Sequence, residues 1–166
     1  MLFLVGLPGS GKSTVGRQLA RRLELSFTDS DQVIEERIGS PIREFFAREG
    51  ETAFRDVEES VIRELAVPSS GVVATGGGAV LREVNRARLR AAGRGFYLQA
   101  TPEELYRRLQ HDKNRPLLQV EDPLQKLQAL HDERDRLYRE TAHVTVVSQR
   151  PSVQALVKVI LARMTD

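Results

Sequence analysis

The sequence predicts an α/β protein built on a parallel sheet with helices on both faces. Three observations predict it. Short apolar runs rich in β-branched and aromatic residues alternate with longer amphipathic stretches. The first run ends in a glycine-rich turn that leads straight into the first amphipathic stretch. The length, 166 residues, suits one domain, here taken as 1–166. Leu2–Val5, Leu25–Thr28, Val72–Thr75, Phe96–Leu98 and Val144–Val147 read as strands, bounded by Gly or Asp. Helical spacing covers Lys12–Leu23, Asp31–Ile38, Pro41–Arg48, Glu51–Ala66, Arg82–Ala92, Pro102–Gln110, Pro123–Glu140 and Ser152–Arg163. Ser40-Pro41 reads as an N-cap with Pro at the first helical position, and Gly39 as the stop of the helix before it. Thr101-Pro102-Glu103-Glu104 has capping-box spacing. Two to three helices crowd between the second and third strands, around 31–66, which marks a candidate substrate-binding insert.

Composition removes several classes of function. Cysteine is absent, which excludes a disulfide scaffold, a zinc-thiolate site and an iron–sulfur cluster. The net charge is +2, and nearly all the basic residues are arginine. Acidic residues are interleaved with them, as in Arg21-Arg22-Leu23-Glu24 and Arg134-Asp135-Arg136, so the charges read as solvated helix faces rather than a nucleic-acid patch. The opening run Met1–Gly6 is short for a signal peptide and lacks a basic start. No stretch reaches the length of a membrane span. A cytoplasmic monomer without nucleic-acid or membrane partners is therefore expected.

Gly6-Leu7-Pro8-Gly9-Ser10-Gly11-Lys12-Ser13-Thr14 matches the P-loop pattern G-x-x-x-x-G-K-[ST]. The glycines let successive backbone N–H groups point inward at an oxyanion, and the following helix aims its positive end there. Lys12 has the reach for β- and γ-phosphates, and the Ser13 hydroxyl suits Mg²⁺. A strand before the loop and an amphipathic helix after it, with Val15, Leu19 and Leu23 on one face, supply the context this motif requires. No D-x-x-G or N-K-x-D string occurs, which argues against a GTPase. The third strand runs into glycines rather than an acidic pair, which argues against a motor ATPase.

Asp29-Ser30-Asp31 follows the second strand. Period-two spacing would set both carboxylates on one side of an extended segment, with Asp29 behind the metal's water shell and Asp31 toward an acceptor hydroxyl. The plainer reading is that Asp31 N-caps the next helix. On Glu51–Ala66, Phe54, Val57, Val61 and Leu65 form the core face, and Arg55, Glu58 and Glu59 fall at ion-pair spacing. Either they form a surface pair, or Glu58 steadies the Arg55 fork for an anion. Thr75-Gly76-Gly77-Gly78 ends the third strand, where bare glycines admit a small ligand to backbone N–H groups, or simply turn the chain. A polar loop from Gln110 to Pro116 reads as a lid over about 110–122, with Arg115 available to the transferring phosphate.

Taken in order along the chain, these strings resemble the shikimate kinase family. They are the P-loop, Asp29-Ser30-Asp31, Gly50-Glu51 with Phe54-Arg55 and Glu58, Thr75-Gly76-Gly77-Gly78, Arg115-Pro116-Leu117-Leu118, and Arg134 followed by Leu137-Tyr138. The resemblance implies a three-layer P-loop kinase fold: a five-stranded parallel sheet flanked by helices, with a lid and a mobile helical substrate-binding segment. It also implies ATP- and Mg²⁺-dependent phosphorylation of the 3-hydroxyl of shikimate. Residue by residue it gives ATP to Gly9, Ser10, Gly11, Lys12, Ser13, Thr14, Arg108, Arg115 and Arg150. Arg108 takes the position that packs on adenine, and 148–151 that of the adenine loop. Mg²⁺ falls to Ser13 and Asp29. Shikimate falls to Asp31, Arg55, Glu58, Gly76, Gly77, Gly78 and Arg134, with Arg55 and Arg134 on its carboxylate. Lys12, Asp31 and Arg115 become the catalytic set. Arg136 stands where many relatives have proline, which makes it a rival for the carboxylate. Two other readings fit the P-loop: a nucleoside monophosphate or gluconate kinase, and a non-catalytic nucleotide-binding module. The glycine-ended third strand disfavours a monophosphate kinase.

Overall fold

The structure is a computed structural model that describes residues 1–110, 121–148 and 152–164. The lid stretch is largely outside the described residues, and Arg115 and Arg150 wholly so. In chain order the elements are β1 Leu2–Val5, α1 Lys12–Leu23, β2 Phe27–Asp29, α2 Ser30–Ile38, α3 Ile42–Glu49, α4 Glu51–Leu65, β3 Val72–Ala74, α5 Glu83–Ala92, β4 Arg94–Gln99, α6 Pro102–Leu109, α7 Pro123–Thr141, β5 Val144–Val147 and α8 Val153–Ala162. The five strands form one sheet in the order β2-β3-β1-β4-β5, and every pairing is parallel. A parallel neighbour needs a crossover, and the helices supply it.

Burial follows the two-residue period of the strands. Leu2 and Leu4 of β1, with Phe96 and Leu98 of β4, face Val15 and Leu19 of α1 and Leu156 and Ile160 of α8. Phe3, Val5 and Tyr97 face the other way, onto Leu89 of α5, Leu105 of α6 and Leu127 and Tyr138 of α7. With both faces covered, the strands read as continuous apolar runs. A third, smaller cluster joins Ile34 of α2 to Phe54 and Val61 of α4, with Phe45 of α3 and Val57 and Leu65 of α4 half-buried against it. This is the helical insert between β2 and β3.

Local rules explain two shifts from expectation. β2 begins at Phe27, not Leu25, because α1 closes with Glu24 in the left-handed region (φ 56°) and Leu25 N–H reaching back to the Ala20 carbonyl at 2.9 Å. That closure uses up Leu25, which stays 46% exposed. Pro41 is itself the cap position of α3 and the helix starts at Ile42, whose N–H donates to the Glu35 carboxylate of α2 at 2.8 Å. Thr101 caps α6, with Glu104 N–H donating to Thr101 Oγ1 at 3.1 Å, but the Glu104 carboxylate turns to Arg107 and Arg108, so only the N-cap half of the expected capping box forms.

Leu19 is fully buried between α1, the sheet and α8. Leu19→Ala is expected to cost about 3 kcal/mol of stability. The thermal midpoint should fall by roughly 6–12 °C, read by differential scanning calorimetry.

Candidate functional site

The site is assembled where β1, β2 and β3 end. Beyond Val5 the chain turns through Gly6, Gly9 and Gly11, all at positive φ (153°, 86° and 94°), conformations that only glycine adopts without strain. Gly11 leads into α1 without any side-chain cap, so the first-turn N–H groups of α1 have no side-chain partner there. That is the physical requirement of an anion cradle at a helix N-terminus. The Lys12 ammonium is buried and donates to the Gly6 and Leu7 carbonyls at 2.7 and 3.0 Å, which holds it over the loop.

Asp29 ties this loop to the second strand. Its Oδ2 accepts from the Ser13 hydroxyl at 2.6 Å and its Oδ1 from Asp31 N–H at 2.9 Å. Asp29 therefore caps α2, and Asp31 does not; Asp31 is in the first turn of that helix. The segment is helical from Ser30, so the two carboxylates are brought together by a helix start rather than by strand alternation. Burial, and then the negative charges of Asp29 and Glu58, push the Asp31 carboxyl up to about 6, while Lys12 pulls the other way.

The glycines after Thr75 also make room for side chains. The Gly76 N–H donates to Ser30 Oγ at 3.0 Å and so is already engaged. None of Gly76, Gly77 and Gly78 has a positive φ. What they supply is room. A Cβ on Gly76 would strike the Asp31 carboxylate, and one on Gly78 the Arg55 guanidinium. A Cβ on Gly77 would lie 3.0 Å from Pro8 of the P-loop and 3.5 Å from Nη1 of Arg134. Three consecutive glycines thus seat three functional side chains from α2, α4 and α7, with the P-loop at their back.

Arg55 Nη1 donates to Glu58 Oε1 at 2.7 Å, and Glu58 is buried. Burial raises the Glu58 carboxyl while the Arg55 charge and hydrogen bond oppose the rise. Glu59, expected in the same group, turns instead to Arg82 at 3.3 Å, because it is on the outer side of α4. Arg134 is only 11% exposed, and its buried Nε has no hydrogen-bond partner among the described residues. Arg136 is 78% exposed and pairs with Glu140 at 2.9 Å, so it is no rival for the site. Arg108, at the end of α6, donates to the Gly9 carbonyl at 3.3 Å and to Ser148 at the end of β5, which sets it on the flank of the P-loop.

A cavity of about 360 Å³ runs between these groups, from Gly9, Lys12 and Ser13 past Asp29 and Asp31 to Gly77, with Arg108 on one wall. Arg55, Glu58 and Arg134 stand beyond its glycine end. Among the described residues no cluster of three His, Asp or Glu side chains suits a metal. The Ser13–Asp29 pair is the one arrangement that fits Mg²⁺: a hydroxyl ligand with a carboxylate behind it, in a site completed by phosphate oxygens and water. Sequence reasoning gave Ser30 and Tyr138 no role of their own, although both stand in the strings that carry the resemblance, and placed Ser148 only in the adenine loop. Tyr138 Oη donates to the Gly77 carbonyl at 2.6 Å, and in the sequence it stands four residues after Arg134.

A profile of the shikimate kinase family matches residues 8–165. The shikimate kinase of Paracidovorax citrulli (strain AAC00-1) is 58% identical, over 98% of this chain and 91% of its own length. That of Ralstonia nicotianae is 53% identical, over 98% and 86%. Among solved structures, the shikimate kinase of Acinetobacter baumannii in complex with shikimate superposes with a TM-score of 0.88 at 44% identity, covering 99% of this chain and 94% of that one. The enzyme of Bacteroides thetaiotaomicron gives 0.90 at 30% identity, covering 97% and 96%. With the P-loop, the Asp29–Asp31 turn and the glycine-seated arginines all in one cleft, the chain belongs to the shikimate kinase family.

Proposed function

We propose that this chain moves the γ-phosphoryl group of ATP to the 3-hydroxyl of shikimate, in the pathway to chorismate and the aromatic amino acids. One observation carries the acceptor side. Two guanidinium groups, Arg55 and Arg134, lie against adjacent glycines with one buried carboxylate, Glu58, between them. Glu51, 3.4 Å from Arg55, and Glu133, 4.0 Å from Arg134, are solvent-exposed, so among the buried charges one positive charge is in excess. An acceptor carboxylate neutralises it, and the fork of each arginine suits that geometry. Shikimate is a small monoanion with three hydroxyl groups, so it matches the charge and leaves a hydroxyl pair for Asp31.

The chain's own residues divide the work by position. The loop amides of Gly9, Ser10 and Gly11, the Thr14 end of the turn and the Lys12 ammonium hold the phosphates, and Arg108 flanks the adenine. Ser13, backed by Asp29, would hold Mg²⁺, which supplies charge neutralisation on the β- and γ-phosphate oxygens when bound. Arg55 and Arg134 grip the acceptor carboxylate, Glu58 steadies Arg55, and Gly76 to Gly78 form the wall against the ring. Asp31 accepts a hydrogen bond from the attacking hydroxyl. In the transfer a bond forms from that oxygen to the γ-phosphorus, the bond from the γ-phosphorus to the bridging oxygen of ADP breaks, and the hydroxyl proton leaves toward Asp31. Arg115 and Arg150 complete the nucleotide side from segments outside the described residues, and a lid over 110–122 keeps water from the γ-phosphate. The chain acts as a monomer in the cytoplasm. No helix among the described residues is long and apolar enough to cross a membrane.

Coupled detection of ADP release, with and without shikimate, tests the reading. ATP turnover should depend on shikimate, and turnover indifferent to it, or supported instead by gluconate or a nucleoside monophosphate, would reject it. Arg55→Ala and Arg134→Ala should each raise the apparent KM for shikimate by about 30-fold or more, since removing one partner of a desolvated charge pair costs roughly 2–5 kcal/mol. Unchanged acceptor KM in both would remove the clamp. Asp31 acts in its ionised form, so kcat/KM for shikimate should climb as pH rises through about 6 and level off above it. The same shift has a stability sign. The folded value exceeds the unfolded one, so ionising Asp31 disfavours the fold as pH rises. Asp31→Asn should therefore melt several degrees above the parent at pH 8 and level with it near pH 4, while losing turnover.

A further inference from the structure

Tyr138 is fully buried, yet its hydroxyl reaches the edge of the site. It stands one helical turn after Arg134, so both side chains leave α7 on the same face. Both meet Gly77. Tyr138 Oη donates to the Gly77 carbonyl at 2.6 Å, and Arg134 Nη1 lies 3.5 Å from where a Gly77 Cβ would be. Pro8 of the P-loop closes on that same point from the other side at 3.0 Å. Gly77 is therefore where the phosphate loop, the glycine strip and the Arg134 helix all touch. The ring of Tyr138 packs on Tyr97 of β4 at 5.0 Å between centroids. Tyr97 Oη in turn donates to Asp135 Oδ1 at 2.8 Å, and Asp135 is the neighbour of Arg134. The rotation of α7 is thus pinned to the sheet on one side and to the glycine strip on the other.

We propose that Tyr138 is a positioning residue: through its hydroxyl on the Gly77 carbonyl it sets the register between the glycine strip and Arg134, and so tunes acceptor affinity without touching the acceptor. This rests on the shikimate kinase reading given above. Burial pushes the Tyr138 hydroxyl up to about 12, so it remains a donor at every working pH. Without that donor the Gly77 peptide is free to rotate, and the wall against which Arg134 lies is no longer fixed. Lys12 is held by the Gly6 and Leu7 carbonyls and Ser13 by Asp29, and neither depends on this bond.

The test is Tyr138→Phe, which keeps the ring stack and deletes only the hydroxyl. Loss of the hydroxyl, with its bond to the Gly77 carbonyl and its side-chain contact with Arg134, should raise the KM for shikimate by about tenfold, with kcat and the KM for ATP held within about twofold. In an Arg134→Lys background the same substitution should change the shikimate KM by less than about twofold, because its effect passes through Arg134. Melting curves are recorded beside the kinetics, and the shikimate-induced rise in melting temperature gives a second measure of acceptor binding. A purely structural role would lower the melting temperature and leave both KM values alone, and that result would overturn the proposal. So would an equal rise in both KM values, or a full tenfold effect surviving in the Arg134→Lys background. If the parent protein shows no shikimate-dependent turnover, the functional reading itself fails; if the parent is active and Tyr138→Phe is indistinguishable from it, only this inference does.

Discussion

Everything in the cleft depends on the parallel register of three strands. Leu4 of β1 pairs with Ala74 of β3, and Ala74 pairs with Asp29 of β2, so the three chains leave the sheet from one row. Within a few residues of that row lie the P-loop, the Asp29–Asp31 turn and the glycine strip. Parallel strands all point their carboxyl ends the same way, and that is why sequence segments tens of residues apart deliver their functional groups to one edge. An antiparallel partner in any of these places would send its group to the far side of the sheet. Thr75 reinforces the row, since its N–H and Oγ1 both donate to the Leu4 carbonyl, at 3.1 and 2.8 Å.

Charge is concentrated at this edge and then balanced in pairs. Asp29 accepts from Ser13 and from the α2 backbone, which spends both of its oxygens on geometry. Glu58 answers Arg55. Asp31 has the opposing pull of Lys12 against burial and three negative neighbours, Asp29, Glu58 and Glu35, and is pushed up to about 6. Burial pushes both Glu58 and Asp31 toward the neutral form, but Glu58 is held by Arg55 away from the cavity, whereas Asp31 lines the cavity beside Asp29. That asymmetry separates a scaffold acid, a buttress acid and an acceptor-facing acid by environment alone.

The strand–helix alternation was legible because the central strands β1, β3 and β4 are largely buried on both faces and most helices carry one apolar stripe. The P-loop was legible because its spacing is fixed by backbone geometry. Less was legible where tertiary packing assigns the partner. Arg55, Glu58 and Glu59 satisfy the same helical spacing, yet Arg55 and Glu58 turn inward together, and Arg82, from a distant segment, claims Glu59. Arg134 and Arg136 are two residues apart on α7, which rotates one into the site and the other out to Glu140. The glycines after Thr75 were read as exposing backbone N–H groups, but a string of glycines does not say whether it grants conformational freedom or space for side chains that arrive from three other helices. Tyr138 was invisible as a functional group, since a tyrosine on an apolar helix face reads as core, which it also is.

The two halves of the cleft are not equally anchored. The nucleotide half is fastened at several points: the Lys12 ammonium on two carbonyls, Ser13 on Asp29, and Arg108 bridging Gly9 to Ser148. On the acceptor half, α3 contributes no fully buried residue, and it is bounded by Gly39 (φ 72°) and Gly50 (φ 88°), neither of which has a neighbour within 4 Å of a Cβ position. α3 is held by Ile42 and Phe45, partly buried on the Ile34 cluster, and by Phe46 on Phe54 at 5.6 Å between ring centroids, and both of its ends can absorb a change in backbone angle. Arg55 is just past Gly50 in sequence, but it is locked by Glu58 and backed by Gly78, on the firm side of that boundary. On the proposed acceptor reading, α3 is the part of the acceptor half with glycine ends, while Arg55 and the phosphate cradle are fixed by their partners. Preorganisation is thereby kept for the groups that align the reacting oxygen and phosphorus, where misplacement is most costly to the rate.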